Sequence, residues 1–183
     1  MLRQTPTHHV QSHMSTKAPY KVLFLCTGNS ARSILAEHIL RQRGQGRFES
    51  YSAGSHPAGA VNPYAVEVLQ QHHIDTSRAR SKSWDEYQGV KFDFVITVCD
   101  RAKETCPIWP GQPILAHWGS PDPAAVEGDD RTKRKAFLDV ASQISARINI
   151  FCAFRDEQLD EWTVRDIGNQ FTQPGSVTSP IGS

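Results

Sequence analysis

At 183 residues the chain is long enough for one domain with a buried core and short for two. Its 20 lysines and arginines against 19 aspartates and glutamates leave no basic field, so a nucleic-acid partner is not expected. No run approaches the roughly 18 apolar residues of a membrane span, and the polar start "MLRQTPTHHVQSHMSTKAP" lacks the apolar stretch of a signal peptide, so the expectation is a soluble, cytoplasmic protein with no membrane partner.

Residues 1–19 are polar and without apolar period, which predicts a flexible tail; its His8, His9 and His13 are read as solvated rather than as metal ligands. From Tyr20 strands alternate with helices. "YKVLFL" is a continuous apolar run suited to a strand buried on both faces, and "ILAEHILRQR" follows with Ile34, Leu35, Ile39 and Leu40 on one helical stripe. "FESYSAG" predicts a second strand and "NPYAVEVLQQHH" a helix capped by Asn62 with Pro63 in its first turn. "FDFVITVC" and "QPILAHW" give two more strands, and Phe137, Val140, Ile144, Ile148 and Phe151 mark a long amphipathic helix. "DEQLDEWTVRDIG" is a possible further helix before a Gly, Ser, Thr and Pro-rich end. The fold class is therefore α/β, a parallel sheet with helices on both faces, over 20–154, with 155–183 as the extra helix and a flexible tail.

Four cysteines, Cys26, Cys99, Cys106 and Cys152, are too few and too scattered for a disulfide scaffold. Cys26 and Cys99 both fall at carboxyl ends of strands, where open α/β sheets bind ligands. After Cys26 the chain runs through Thr27, Gly28, Asn29, Ser30 and Ala31 to Arg32 and Ser33. Such a turn from strand to helix points successive backbone N–H groups and a helix dipole into one concavity, which suits a tetrahedral oxyanion, and Arg32 can grip two of its oxygens. The same field predicts a Cys26 thiol lowered from about 8.5 into the range of about 3.5 to 7.5. Ser33 is placed to donate to that sulfur, and Asn29 to hold the loop. A buried structural cysteine followed by an ordinary helix arginine is the alternative reading.

Together "VLFLCTGNSARSILAE", "YSAG", "HPAGAVNPYAVEVL", "FDFVITVCDRAKETCP" and "HWGSPDPA" resemble the arsenate reductases built on the low-molecular-weight protein tyrosine phosphatase fold, over about Tyr20 to Phe151. That resemblance implies a four-stranded parallel sheet, a monomer, and a loop that binds arsenate, with phosphate or sulfate as competing anions. Asp122 in "GSPDPAA" would be the general acid, although a capping aspartate is the other reading. The phosphatases usually carry an aromatic residue after the Asp-Pro pair, where this chain has Ala124.

By the same resemblance Cys26 would attack the oxyanion, Cys99 the sulfur bearing arsenic, and Cys106 the resulting disulfide, with thioredoxin, or glutaredoxin and glutathione, as external reductant and no metal or organic cofactor. Core packing and half of a zinc site are the competing readings of Cys99 and Cys106; Cys152 reads as core. Two departures stand out. Ala31 takes the place of a second loop cysteine found in many relatives, and Lys82 in "RARSKS" takes that of an aspartate that helps some thioredoxin-linked members bind potassium. An inward Lys82 near Asn29, Glu37 and Ser52 would replace that ion. The preferred function is arsenate reduction for detoxification; the alternatives are a low-molecular-weight phosphatase and a non-enzymatic oxyanion or arsenical sensor.

Overall fold

The computed structural model describes residues 17–170, so the His8, His9 and His13 group and the stretch from Gln173 lie outside the described residues. Four parallel strands, β1 (Tyr20–Cys26), β2 (Phe48–Gly54), β3 (Phe94–Thr97) and β4 (Ile114–His117), form one sheet in the order β2-β1-β3-β4. Around it lie α1 (Arg32–Arg43), α2 (Pro63–Gln71), α3 (Asp100–Thr105), α4 (Asp130–Ala153) and α5 (Glu161–Asn169). No described helix is long and apolar enough to cross a membrane.

Both sheet faces are covered, which is why β1 and β3 are apolar without alternation. Phe48 and Phe94 meet Phe151 of α4 on one face, at ring-centroid distances of 4.8 and 5.2 Å. Tyr51 has the opposite parity in β2 and packs with Tyr87 and Phe92 on the other face. The predicted cap of α2 is present, with the Asn62 side chain accepting from the Tyr64 N–H.

The third and fourth strands are shorter than the apolar runs that predicted them. The β3 ladder stops at Thr97 because Cys99 turns to start α3, and β4 stops at His117 before the Trp118 N–H bonds back to Thr97. Both chains thus leave the sheet beside the end of β1, which collects Cys26, Cys99 and the loop bearing Asp122 at one rim.

Arg147 holds that rim from below. It sits on the apolar stripe of α4 between Ile144 and Phe151 and is fully buried. Its guanidinium donates to the carbonyls of Trp118 (3.4 Å) and Gly119 (3.0 Å) and to Ser120 Oγ (2.9 Å), fixing the chain that runs on to Asp122. The Arg147→Met variant keeps the packing volume but leaves buried carbonyls without donors; at about 1–3 kcal/mol for each unsatisfied group, its unfolding midpoint in urea should fall markedly, by roughly 2–4 kcal/mol in stability.

Candidate active site

Cys26 ends β1 and its sulfur is buried beneath the following loop. Asn29 makes the turn with a φ of 43°, a left-handed conformation that asparagine tolerates better than most residues. That twist aims the Asn29 N–H at Cys26 Sγ, 3.1 Å away, while Ser33 Oγ lies 2.8 Å from the same sulfur. The Asn29 amide then donates to Ser33 Oγ and Ser52 Oγ, both at 2.9 Å, and accepts from the Lys82 N–H at 2.7 Å. Gly54 lets the loop lie this close, since a Cβ there would come within 2.5 Å of the Thr27 carbonyl.

The expected lowering of the Cys26 thiol is not what this site produces. Burial pushes the thiol up, and the bonds from Ser33 and the Asn29 N–H only partly oppose it. The position at a strand-to-helix turn was legible, whereas the depth of the sulfur was not.

A cavity of about 460 Å³ opens above the sulfur, lined by the loop from Cys26 to Arg32 together with Cys99, Asp100 and Asp122. Thr27, Gly28, Ser30 and Ala31 all contribute to this wall, while the Asn29 side chain is turned inward as the loop's brace. Cys99 is buried at the start of α3, with its sulfur 3.5 Å from Thr27 Oγ1, so the two strand-end thiols share one chamber. Arg32 Nη2 lies 3.1 Å from Asp122 Oδ2, and its Nη1 donates to the Ser120 carbonyl at 3.0 Å. The arginine is thus already tied to the loop that faces it. Asp122 Oδ1 also accepts from the Ala124 N–H, so the capping aspartate and the cavity aspartate are one residue.

Cys106 stands apart. It terminates α3, half-buried, on the wall of a different cavity, and burial pushes its thiol up. Cys152 lies far from both, half-buried on α4.

Behind the loop, Lys82 points inward. Its Nζ is 3.0 Å from Glu37 Oε2 and donates to the Arg80 carbonyl at 3.0 Å, with Lys82 and Glu37 only 3% and 5% exposed. Ser52 Oγ donates to the same carboxylate oxygen. A potassium ion does not fit here, because the ammonium already serves the carboxylate that such an ion would need. Sequence reasoning missed Arg147 altogether; a cation on the apolar stripe of α4 was the available signal.

The family model described as low molecular weight phosphotyrosine protein phosphatase matches residues 21–164. The chain belongs to that family. Within it, an arsenate reductase of Halalkalibacterium halodurans is 39% identical over 130 residues, covering 71% of this chain and 93% of the relative. A solved arsenate reductase in its phosphate-binding state superposes with a TM-score of 0.60 at 28% identity, covering 73% of this chain and 97% of the other. A thioredoxin-dependent arsenate reductase of Corynebacterium glutamicum gives 0.53 at 27% identity, over 73% of this chain and 60% of that one. The four-stranded parallel sheet with helices on both faces is the family's fold.

Because the Cys26 thiol is raised, the anion-free protein should react slowly with iodoacetamide at pH 7, and Cys26 alkylation should accelerate as pH climbs past the ordinary thiol range. Ser33→Ala removes a donor to the thiolate and should move that midpoint higher still, slowing alkylation at pH 8; peptide mapping of labelled Cys26 reads both. Lys82 makes a separate prediction: exchanging sodium for potassium should change neither the melting temperature nor turnover by more than about 1.5-fold, an effect of under ~0.3 kcal/mol. Lys82→Met removes one of the two cations on Glu37, leaving Arg41 Nη2 on its Oε1, and should cost about 1–3 kcal/mol in chemical denaturation.

Proposed function

We propose that this protein reduces arsenate to arsenite through three thiols. The observation that carries the reading is the pairing of Cys26 and Cys99 on the wall of one chamber, with Cys106 at the far end of the short helix that Cys99 begins. A phosphate-ester hydrolase needs only the first of these sulfurs.

Arsenate sits in the loop from Thr27 to Arg32, held by backbone N–H groups and by the Arg32 fork. The raised thiol is consistent with this substrate: a buried thiol and a dianionic oxyanion carry the same total charge as a thiolate and a monoanion, so the entering anion takes the Cys26 proton. Cys26 Sγ then bonds to arsenic, and an arsenic–oxygen bond breaks; Asp122, protonated from solvent once the anion has taken Arg32 from it, gives the proton that releases water. Asp122 is 46% exposed and held beside Arg32, so it reaches both solvent and the chamber. Ser33 and the Asn29 N–H hold the sulfur in its attacking position.

Cys99 next attacks Cys26 Sγ. The sulfur–arsenic bond breaks, its electron pair stays on arsenic, and arsenite leaves as a Cys26–Cys99 disulfide forms. Attack of Cys106 on Cys99 Sγ frees Cys26 and moves the disulfide outward. Two electrons pass to arsenic and one dithiol becomes a disulfide, so the step balances without metal or organic cofactor.

This last exchange requires α3 to open. The six helical residues between Cys99 and Cys106 set them about 10 Å apart, whereas disulfide-bonded Cα atoms stand about 4.4–6.8 Å apart. The helix is only six residues long and buries one side chain, Ala102, so its opening costs little of the core. An external thiol then reduces the disulfide.

Purified reduced protein given arsenate and no reductant should release about one arsenite and lose about two thiols per chain, then stop. Cys99→Ser should abolish arsenite release while keeping slow cleavage of an aryl phosphate. Continuous aryl-phosphate turnover without arsenite in the unmodified protein would assign it to the phosphatases instead.

A further inference from the structure

Cys106 opens onto a second cavity of about 380 Å³, separate from the oxyanion chamber. Its floor is the sheet face formed by Val95 and Leu115, which are register partners in β3 and β4. α3 supplies Lys103 and Cys106 to one wall, and α5 supplies Arg165 to the other. No aspartate or glutamate lines it.

We propose that this groove binds a small thiol carrying carboxylates, which reduces the enzyme's disulfide directly; the proposal rests on the three-thiol reading above. The volume falls in the range of small-molecule sites and suits a molecule of tripeptide size rather than a protein surface. The floor takes an apolar stem. The two cations give the charge preference: Lys103 stands on the groove wall, while Arg165 pairs with Glu161 and donates through Nε to the Leu115 carbonyl. An entering carboxylate would compete with Glu161 for the exposed Arg165 guanidinium.

Opening of α3 does not dismantle the site. Val95, Leu115 and Arg165 belong to the sheet and to α5, and Lys103 is three residues from Cys106, so its charge accompanies the sulfur. The ligand thiolate attacks Cys106 Sγ of the Cys99–Cys106 disulfide, whose electron pair leaves with Cys99 and is then protonated. A second ligand thiolate attacks the ligand sulfur of the mixed disulfide, releasing Cys106 and a ligand disulfide. Two ligand thiols are oxidised and one protein disulfide is reduced.

The test begins with protein oxidised by one arsenite-releasing round, so that a missing arsenite burst identifies failure of the three-thiol reading by itself. Recovery of protein thiols is then timed with glutathione and with uncharged 2-mercaptoethanol, compared per thiolate. Glutathione should show saturation in its rate and a mixed disulfide mapped to Cys106, whereas 2-mercaptoethanol should rise linearly. In the double variant Lys103→Ala, Arg165→Ala the ratio of the glutathione to the 2-mercaptoethanol rate should fall by about tenfold, the effect expected for loss of charge-assisted contacts. A misfolded variant would move both rates and leave the ratio in place, so the saturation curve of the unmodified protein serves as the second reading. A linear glutathione rate with an unchanged ratio, or saturation by a protein dithiol such as thioredoxin alone, would overturn the proposal.

Discussion

The left-handed turn at Asn29 is the constraint from which the site follows. A non-glycine residue in that region costs on the order of 1 kcal/mol, and the surrounding structure holds it there with four hydrogen bonds from one residue. Its N–H reaches the nucleophilic sulfur, and its amide reaches Ser33 on α1, Ser52 on β2 and the backbone of Lys82. Three separate segments are thereby registered to one peptide unit. The loop is consequently formed before any anion arrives, and binding does not have to order it. Lys82 and Glu37 back this arrangement with a buried charge pair.

Charge in the chamber is balanced unevenly. The sulfur is raised by its depth, while the available guanidinium is engaged by Asp122. An arriving oxyanion changes both: it accepts the thiol proton and competes with Asp122 for Arg32. On the proposed mechanism Asp122 is then released to take up a proton from solvent, so one exchange of partners would ready nucleophile and acid together. Arg147 matters to that exchange because Ser120, which it anchors, also receives Arg32.

Much of this was legible because it is local in sequence. The strand, loop and helix around Cys26, the cap at Asn62 and the brace role of Asn29 depend on neighbours within a few residues, where propensity and hydrogen-bonding reach decide the outcome. What escaped depends on distance along the chain. Arg147 works on residues 27 to 29 positions away, the raised Cys26 thiol reflects burial by the whole rim, and the tie between Arg32 and Asp122 joins loops 90 residues apart. The resemblance singled out position 82 but left Lys82 free to face solvent or the loop, and no periodicity could decide, since the segment around it is irregular.

The shortest α-helix among the described residues is the one whose opening the proposed disulfide exchange requires. α3 holds a thiol at each end, and its own hydrogen bonds keep those thiols apart. The His117 contacts to Asp100 Oδ1 (3.0 Å) and Thr97 Oγ1 (2.8 Å) pin its first turn to the sheet. Among the described residues its last turn makes no side-chain hydrogen bond to the sheet, and Cys106 closes it with a long contact to the Pro107 carbonyl and a side-chain contact with the buried Trp109. Unwinding from the C-terminal end therefore moves Cys106 while Cys99 stays registered against the chamber. A longer or better buried α3 would secure the reduced fold and block the disulfide; a disordered one would leave Cys99 unplaced for its attack on Cys26. A short helix anchored at one end satisfies both demands, and it directs the oxidised sulfur outward, away from the oxyanion loop, before the next substrate enters.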